Sequence, residues 1–412
     1  MSQLFIVGSR GIPAAYGGFE TFAEELSTRL AARGQTVSVT CEQTSEDAEL
    51  PPAYQGVQLL PVATPDHALR PILADLIALW KCYRRGEPGD IVYLLGYGVG
   101  PFAWPLLKGL RAKGMKVWLN PDGVEWRRSH WSWEAKLYLR FCAWFLPRHV
   151  DRLICDSKAI QGHHLQNNGV DASCIDLIEY GAPIVRSADL TPSVRARRAR
   201  YLRQYDLSLG EYYIQVGRLV PENNLELMIR AVSDPRISRP LLIIANRDSH
   251  NGYYQKLRAL AEDCDAAEQI VFGGTVYERP LLKALRLGAY AHLHGHEVGG
   301  TNPALVEAMG LGSLILALNT RFNREVLGRA GLYFGKSVEG LVRTLQLADR
   351  LSDTTIQEYQ QRATERVRSH YNWPRIVDEY ERRIWDTAAR PSSGSEPKPQ
   401  GSAVRLDGPD ER

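Results

Sequence analysis

The 412-residue chain is short of cysteine, of long apolar runs and of net charge, and each shortage removes a class of protein. Its six cysteines (Cys41, Cys82, Cys142, Cys155, Cys174, Cys264) are scattered without a Cys-x-x-Cys pair, which speaks against a disulfide framework and for reduced, mostly core thiols. No stretch reaches about 18 uninterrupted apolar residues, so none reads as a membrane span. The opening MSQLFIVGSRG lacks the basic flank of a secretory leader, and its apolar run has strand length, so a cytoplasmic protein is expected. A formal charge of +3 offers no general pull toward nucleic acid, and no nucleic-acid motif accompanies it. With 44% hydrophobic and 24% charged residues, the chain is neither disordered overall nor fibrous.

Familiar nucleotide and metal signatures are missing too. Gly8-Ser9-Arg10-Gly11 follows the first apolar run but is not G-x-G-x-x-G, and no Gly-Lys-Ser or Gly-Lys-Thr follows. Glu42 closes the second apolar run, where a dinucleotide enzyme keeps its ribose acid, yet the glycine pattern disfavours NAD. Asp263-Cys264-Asp265 reads as a polar connection, and His292, His294 and His296 alternate as a strand end would, so no metal is expected.

What the chain has is a rhythm of strands and helices. QLFIVG, a helix from about Phe19 to Arg33, and TVSVTCE form a βαβ unit, and DIVYLLG and KVWLN continue it. An arginine-rich stretch, RSADLTPSVRARRARYLRQYDL, interrupts the pattern before YYIQVG, PLLIIAN, QIVFGG, AYAHLHG and SLILAL restart it. Such alternation predicts doubly wound parallel sheets in an α/β protein. The expected divisions are residues 1–190, 191–375, a helix over 376–390 and a disordered tail over 391–412, which is poor in apolar residues.

Two glycine-rich loops stand at helix entrances. Gly17 and Gly18 precede the first helix, where bare backbone can approach a phosphate or sugar oxygen; the bland alternative is a tight turn. Gly299, Gly300 and Thr301 precede a helix with Asn302 as N-cap and Pro303 at its first position. Glu307, one turn in, suits a diol, or is a surface acid favoured by the helix dipole. Arg218 follows the first strand of the second half, where it can pair with a diphosphate.

Together GSRGIPAAYGGFETF, NPDGVEWRR, CDSKAI, GRLVPENN and HEVGGTNPALVEAM resemble the retaining GT-B glycosyltransferases of family 4, in particular bacterial capsule and exopolysaccharide rhamnosyltransferases. The resemblance implies a GT-B fold, two Rossmann-like doubly wound domains facing a cleft, with acceptor on the first and nucleotide-diphosphate sugar on the second. It implies a metal-independent hexosyltransferase without cofactor, its co-substrate dTDP-rhamnose or a UDP-sugar. By that likeness Gly17 and Gly18 lie near the donor phosphates, Arg218 on the diphosphate, and Gly299, Gly300, Thr301 and Asn302 on sugar hydroxyls and phosphate. Glu307 falls on the ribose and Val276 near the base, while Asn120, Asp122 and Arg127 fall on the acceptor side.

Three positions depart from the family. Gly299 stands where a first glutamate is usual, with Glu297 displaced by two; Asn223 replaces a lysine, leaving Arg10 as a candidate charge; and Asp122 replaces a histidine. Asp122 therefore marks a different donor, such as a 6-deoxy sugar, and joins Arg218 and Glu307 as a catalytic candidate, or else only caps its turn. The implied acceptor is a saccharide, free or lipid-linked. WRRSHWSWEAKLYLRFCAWFLPRH mixes aromatic and basic residues as interfacial helices do, which would place the enzyme at the inner face of the membrane. A non-hydrolysing nucleotide-sugar epimerase and a non-catalytic sugar-nucleotide sensor are the competing readings.

Overall fold

The computed structural model describes residues 2–14, 17–43, 50–64, 69–127, 131–246, 252–264, 266 and 268–389. The tail over 391–412 lies outside them, as does Asp265.

The first eight strands are β1 (Leu4–Val7), β2 (Val37–Gln43), β3 (Ala53–Tyr54), β4 (Val57–Ala63), β5 (Ile91–Leu95), β6 (Lys116–Asn120), β7 (Arg152–Cys155) and β8 (Ile175–Leu177). They form one sheet in the order β3-β4-β2-β1-β5-β6-β7-β8, parallel except for the β3–β4 hairpin. A second, six-stranded parallel sheet has the order β11-β10-β9-β12-β13-β14. Its strands are β9 (Tyr213–Val216), β10 (Leu241–Ile244), β11 (Ile270–Gly274), β12 (Ala291–His294), β13 (Ile315–Leu318) and β14 (Leu332–Phe334). Every residue of β1, β5, β10 and β13 is buried, as apolar strands covered on both faces require.

Around the first sheet run α1 (Gly18–Ala32), α2 (Arg70–Arg85), α3 (Trp104–Ala112), α4 (Trp133–Phe145) and α5 (Lys158–Asn167). Around the second run α6 (Pro192–Gln204), α7 (Leu225–Val232), α8 (Gly252–Asp263), α9 (Arg279–Leu287), α10 (Pro303–Gly310), α11 (Arg321–Leu327), α12 (Val338–Asp349) and α13 (Asp353–His370). Last comes α14 (Trp373–Ala389), which lies on the first domain. Its Trp373, Ile376, Val377, Tyr380 and Ile384 recur at helical spacing and share a core with Phe22, Leu26, Tyr93 and Trp118. At its centre the Tyr93 and Tyr380 hydroxyls are 2.8 Å apart.

Some elements escaped the sequence pattern. β4 carries Pro61, which a central strand would not tolerate; here β3 pairs only Tyr54 and Ala53 with Val57 and Gln58, so Pro61 lies beyond the hairpin on an open edge. β8 and β14 have three residues each, too few to show a period. The arginine-rich stretch contains α6, capped by the Thr191 side chain, and its few apolar residues, Val194 and Leu202, seat it on Ala284 and Leu285 of α9.

Candidate functional site

Strand order reverses direction between β1 and β5 in the first sheet and between β9 and β12 in the second. Ligands of open parallel sheets bind beyond the carboxyl ends of the strands at such switch points. From β1 the chain enters the loop that ends at Gly17 and Gly18; from β9 it enters Gly217 and Arg218; from β12 it enters the run His296–Asn302. The topology thus gathers the predicted loops of both domains at one cleft.

The two domains meet there closely. A Cβ added to Gly18 would lie 3.7 Å from the Pro303 ring, and one added to Gly123 would lie 2.8 Å from the Gly299 Cα. Gly18, Thr21, Tyr180, Pro303, Glu307 and Trp373 line a narrow pocket between them. A wider surface depression between α11 and α13 holds Arg329, Arg362 and Arg366, but it shares no residue with these loops and Arg362 is paired with Glu358.

The glycines differ in what they face. Gly17 is the N-cap of α1 with φ +124°, a conformation suited to glycine, and Glu20 of the same helix folds back onto it. Gly299 has φ +145°, and Asn302 caps α10 by accepting from the Ala304 N–H at 3.0 Å. No acidic residue occupies the first turn of α10.

Arg218 is exposed, and among the described residues no carboxylate pairs with it. Asn223 is buried with its side chain engaged at both ends. Its Nδ2 donates to the Arg218 carbonyl at 2.7 Å, and its Oδ1 meets His296 Nδ1 at 2.8 Å, so it ties the β9 and β12 loops together. Glu297 turns to Lys336, 2.7 Å away. Glu307 Oε2 accepts from Arg286 Nη1 at 2.8 Å, and that guanidinium is only 3% exposed. Val276 is partly buried against the core beneath α9. Arg10 is exposed, and its backbone N–H donates to Glu20 at 3.3 Å.

On the first domain, Asn120 is buried at the end of β6, accepting from the Asp122 N–H at 2.9 Å and donating to Tyr180 at 3.2 Å. This bond holds Asp122 at φ +54°, a left-handed position that aspartate tolerates better than most residues. Arg127 ends a short 3-10 turn, Glu125–Arg127; its side chain lies outside the described residues.

Residues that the motifs did not single out join the site. Asp156 follows β7 and crosses to the second domain, its carboxylate accepting from the Thr301 N–H at 3.1 Å while its carbonyl accepts from the Thr301 hydroxyl at 2.5 Å. Burial, and then the nearby Asp122, push its carboxyl well above the ordinary range. Arg279 of α9 reaches Glu24 of α1 at 2.8 Å, and Glu325 accepts from the Lys158 N–H of α5 at 2.6 Å. CDSKAI showed a strand turning into a helix, but which side chain crosses an interface has no local signal. His292 and His294 are buried in β12, and burial drives His294 down to about 3 and holds His292 well below its ordinary value, so both are neutral at pH 7. Among the described residues no group of three or more His, Cys, Asp or Glu could hold a metal ion.

Residues 1–183 match a domain of unknown function (DUF1972), and residues 207–368 match the family glycosyl transferases group 1. No curated protein matches the chain. Among solved structures, sucrose-phosphate synthase from Thermosynechococcus elongatus is 15% identical with a TM-score of 0.74, covering 94% of this chain and 99% of its own. Anabaena HepE in complex with UDP-glucose is 14% identical, TM-score 0.66, with 94% and 100% covered. The structure of trehalose-6-phosphate from E. coli bound with UDP-2-fluoro glucose is 11% identical, TM-score 0.68, with 94% and 99% covered. The fold is that of the GT-B glycosyltransferases, two parallel-sheet Rossmann-like domains. The glycosyl transferases group 1 match lies over the second domain.

Proposed function

We propose that this protein transfers a sugar from a nucleotide-diphosphate donor to a saccharide acceptor with retention, in cell-surface polysaccharide synthesis, with rhamnose as the sugar. The observation that carries the reading is the closeness of the two domains at their switch points, Gly18 against Pro303 and Glu307 and Gly123 against Gly299. Two structural neighbours hold UDP-sugars, which supports a nucleotide sugar here.

In this reading Arg218 and the N–H groups before α10 meet the charge growing on the leaving diphosphate, so catalysis is preorganised electrostatics. Glu307, oriented by Arg286, holds the ribose, and the backbone near Val276 meets the base. Gly17 and Gly18 close over the phosphates. Asn223 acts by fixing the Arg218 loop. Asn120 shapes the turn that presents Asp122, which orients a donor or acceptor hydroxyl, with Arg127 on the same side. No metal is required, so EDTA leaves activity intact.

The acceptor is a lipid-linked saccharide, met at the inner face of the membrane. In support, α4 exposes Trp133, Leu137, Phe141 and Trp144, and neighbouring Phe102 and Trp104 are also exposed. Arg148 lies 4.5 Å over the Trp144 ring and Lys108 4.1 Å over Trp104, a mixture that suits an anionic lipid surface. Among the described residues no helix is long and apolar enough to cross a membrane.

Thermal shift with dTDP-rhamnose, UDP-glucose, UDP-N-acetylglucosamine, GDP-mannose and NAD tests the donor, since a ligand at 100 times its Kd adds about 2.7 kcal/mol. Selective stabilisation by dTDP-rhamnose supports the full reading; a response to NAD alone overturns it. Donor conversion without acceptor would instead mark an epimerase, and binding without turnover a sensor. Wild type should float with anionic phospholipid vesicles and a Trp133→Ser/Phe141→Ser variant should not.

A further inference from the structure

We propose that Asp156 is a further specificity-determining residue, whose carboxyl receives a hydroxyl of the donor sugar when the domains part. The inference rests on the donor reading above. Asp156 sits at the carboxyl end of β7, and the next residue, Ser157, caps α5 by accepting from the Ile160 N–H, so the turn is anchored in the first domain. The side chain nevertheless lies against the second domain. It is 2% exposed, one carboxyl oxygen takes the Thr301 N–H, and the other, Oδ1, is buried without a hydrogen-bond partner. A buried acceptor left unanswered is costly, and natural sites retain one where a ligand or water completes it.

Gly300 makes this approach possible, because a Cβ there would stand 1.8 Å from Asp156 Oδ1. The second-domain loop brings no acid of its own to this point: position 299 is glycine, and Glu297 is held by Lys336. Asp156 reaches the loop from the first domain, with Asp122 of that domain and Glu325 of α11 near its carboxyl.

The chemistry selects the ligand. A hydroxyl both donates and accepts, so it can pair with the Thr301 N–H and with the Asp156 carboxyl in either protonation state. A sugar hydroxyl inserted here would accept from the Thr301 N–H and donate to Asp156, replacing their direct bond. The hydrogen bonds between Asp156 and Thr301 are interdomain, as is the neighbouring bond from the Lys158 N–H to Glu325, so parting the β7–α5 turn from the second domain frees acid and amide together.

Calorimetry with UDP, dTDP, UDP-glucose and dTDP-rhamnose, on wild type, Asp156→Asn and Gly300→Ala, tests this. Asp156→Asn keeps an oxygen for Thr301, and Gly300→Ala pushes the acid away from the opposite domain, so the pair guards against a local folding defect. Expected is a sugar nucleotide that binds wild type at least tenfold more tightly than its bare nucleotide, with that advantage lost in both variants and bare-nucleotide binding kept within twofold in Asp156→Asn. An advantage surviving in Asp156→Asn overturns the inference, as does a wild type that binds nucleotides but gains nothing from any sugar. A wild type that binds none of the four overturns the donor reading and this inference with it.

Discussion

The entrances of α1 and α10 share a sequence signature, a glycine pair before a helix, and differ in what answers the helix. At α1 the glycine is itself the N-cap and Glu20, in the first turn, folds back onto the loop. At α10 Asn302 is the cap, no acid lies in the first turn, and the carboxyl beside the Thr301 N–H comes from Asp156 of the other domain. A helix N-terminus attracts negative or hydroxyl-bearing groups. The one that supplies its own acid is satisfied within the domain; the one that borrows an acid across the cleft can exchange it for a ligand.

The largest effect should come from the acids. Glu307→Ala leaves Arg286, 3% exposed, as an unpaired buried cation, which should cost about 3–5 kcal/mol in denaturant unfolding. Glu20→Ala at the α1 entrance should cost only about 0.3–1 kcal/mol, the ordinary value of an acid at a helix start. Similar losses for the two would erase the contrast. Next, Arg218→Ala should weaken sugar-nucleotide binding about tenfold or more with little change in Tm, because the guanidinium is exposed and makes no ion pair among the described residues. A large fall in Tm would make Arg218 a structural residue.

The glycines sharpen the comparison further. Gly18→Ala should be nearly silent, since its Cβ would meet only the Pro303 ring at 3.7 Å, whereas Gly17→Ala, at φ +124°, should cost about 1–3 kcal/mol. Acid should also act on the α10 side. The unfolded chain protonates His292 and His294 near pH 6.5 while the native chain holds both lower, so stability contributed by these groups is present above about pH 6.5 and lost as pH falls below it. Thermal unfolding between pH 4 and 7 should show this slope, and a His292→Leu/His294→Leu variant should flatten it. The smallest effect is chemical: native alkylation should reach Cys174 and Cys264, which are partly exposed, well before the buried Cys41, Cys82, Cys142 and Cys155.

Much of this was legible in the chain. β1, β5, β10 and β13 are apolar runs closed by loop residues, and a buried parallel strand has little other way to look. The glycine pair, the Asn-Pro helix start and Arg218 after β9 were readable because backbone freedom, capping and strand-end position are local properties. Illegible were the engagements of long side chains: Asn223 with Arg218 and His296, Glu297 with Lys336, Glu307 with Arg286. Glu307 and Arg286 are 21 residues apart, and nothing in either neighbourhood names the other.

Periodicity, glycine placement and capping by themselves determined two doubly wound sheets and the loops that face each other, because those features follow from φ, ψ and burial within a few residues. Only the tertiary structure decided which acid answers which helix. Asp156 meets Thr301 across 145 positions, and α14 returns to the first domain to join Tyr380 to Tyr93 across 287. Such pairings depend on how two domains are set against each other, a geometry that no local pattern encodes.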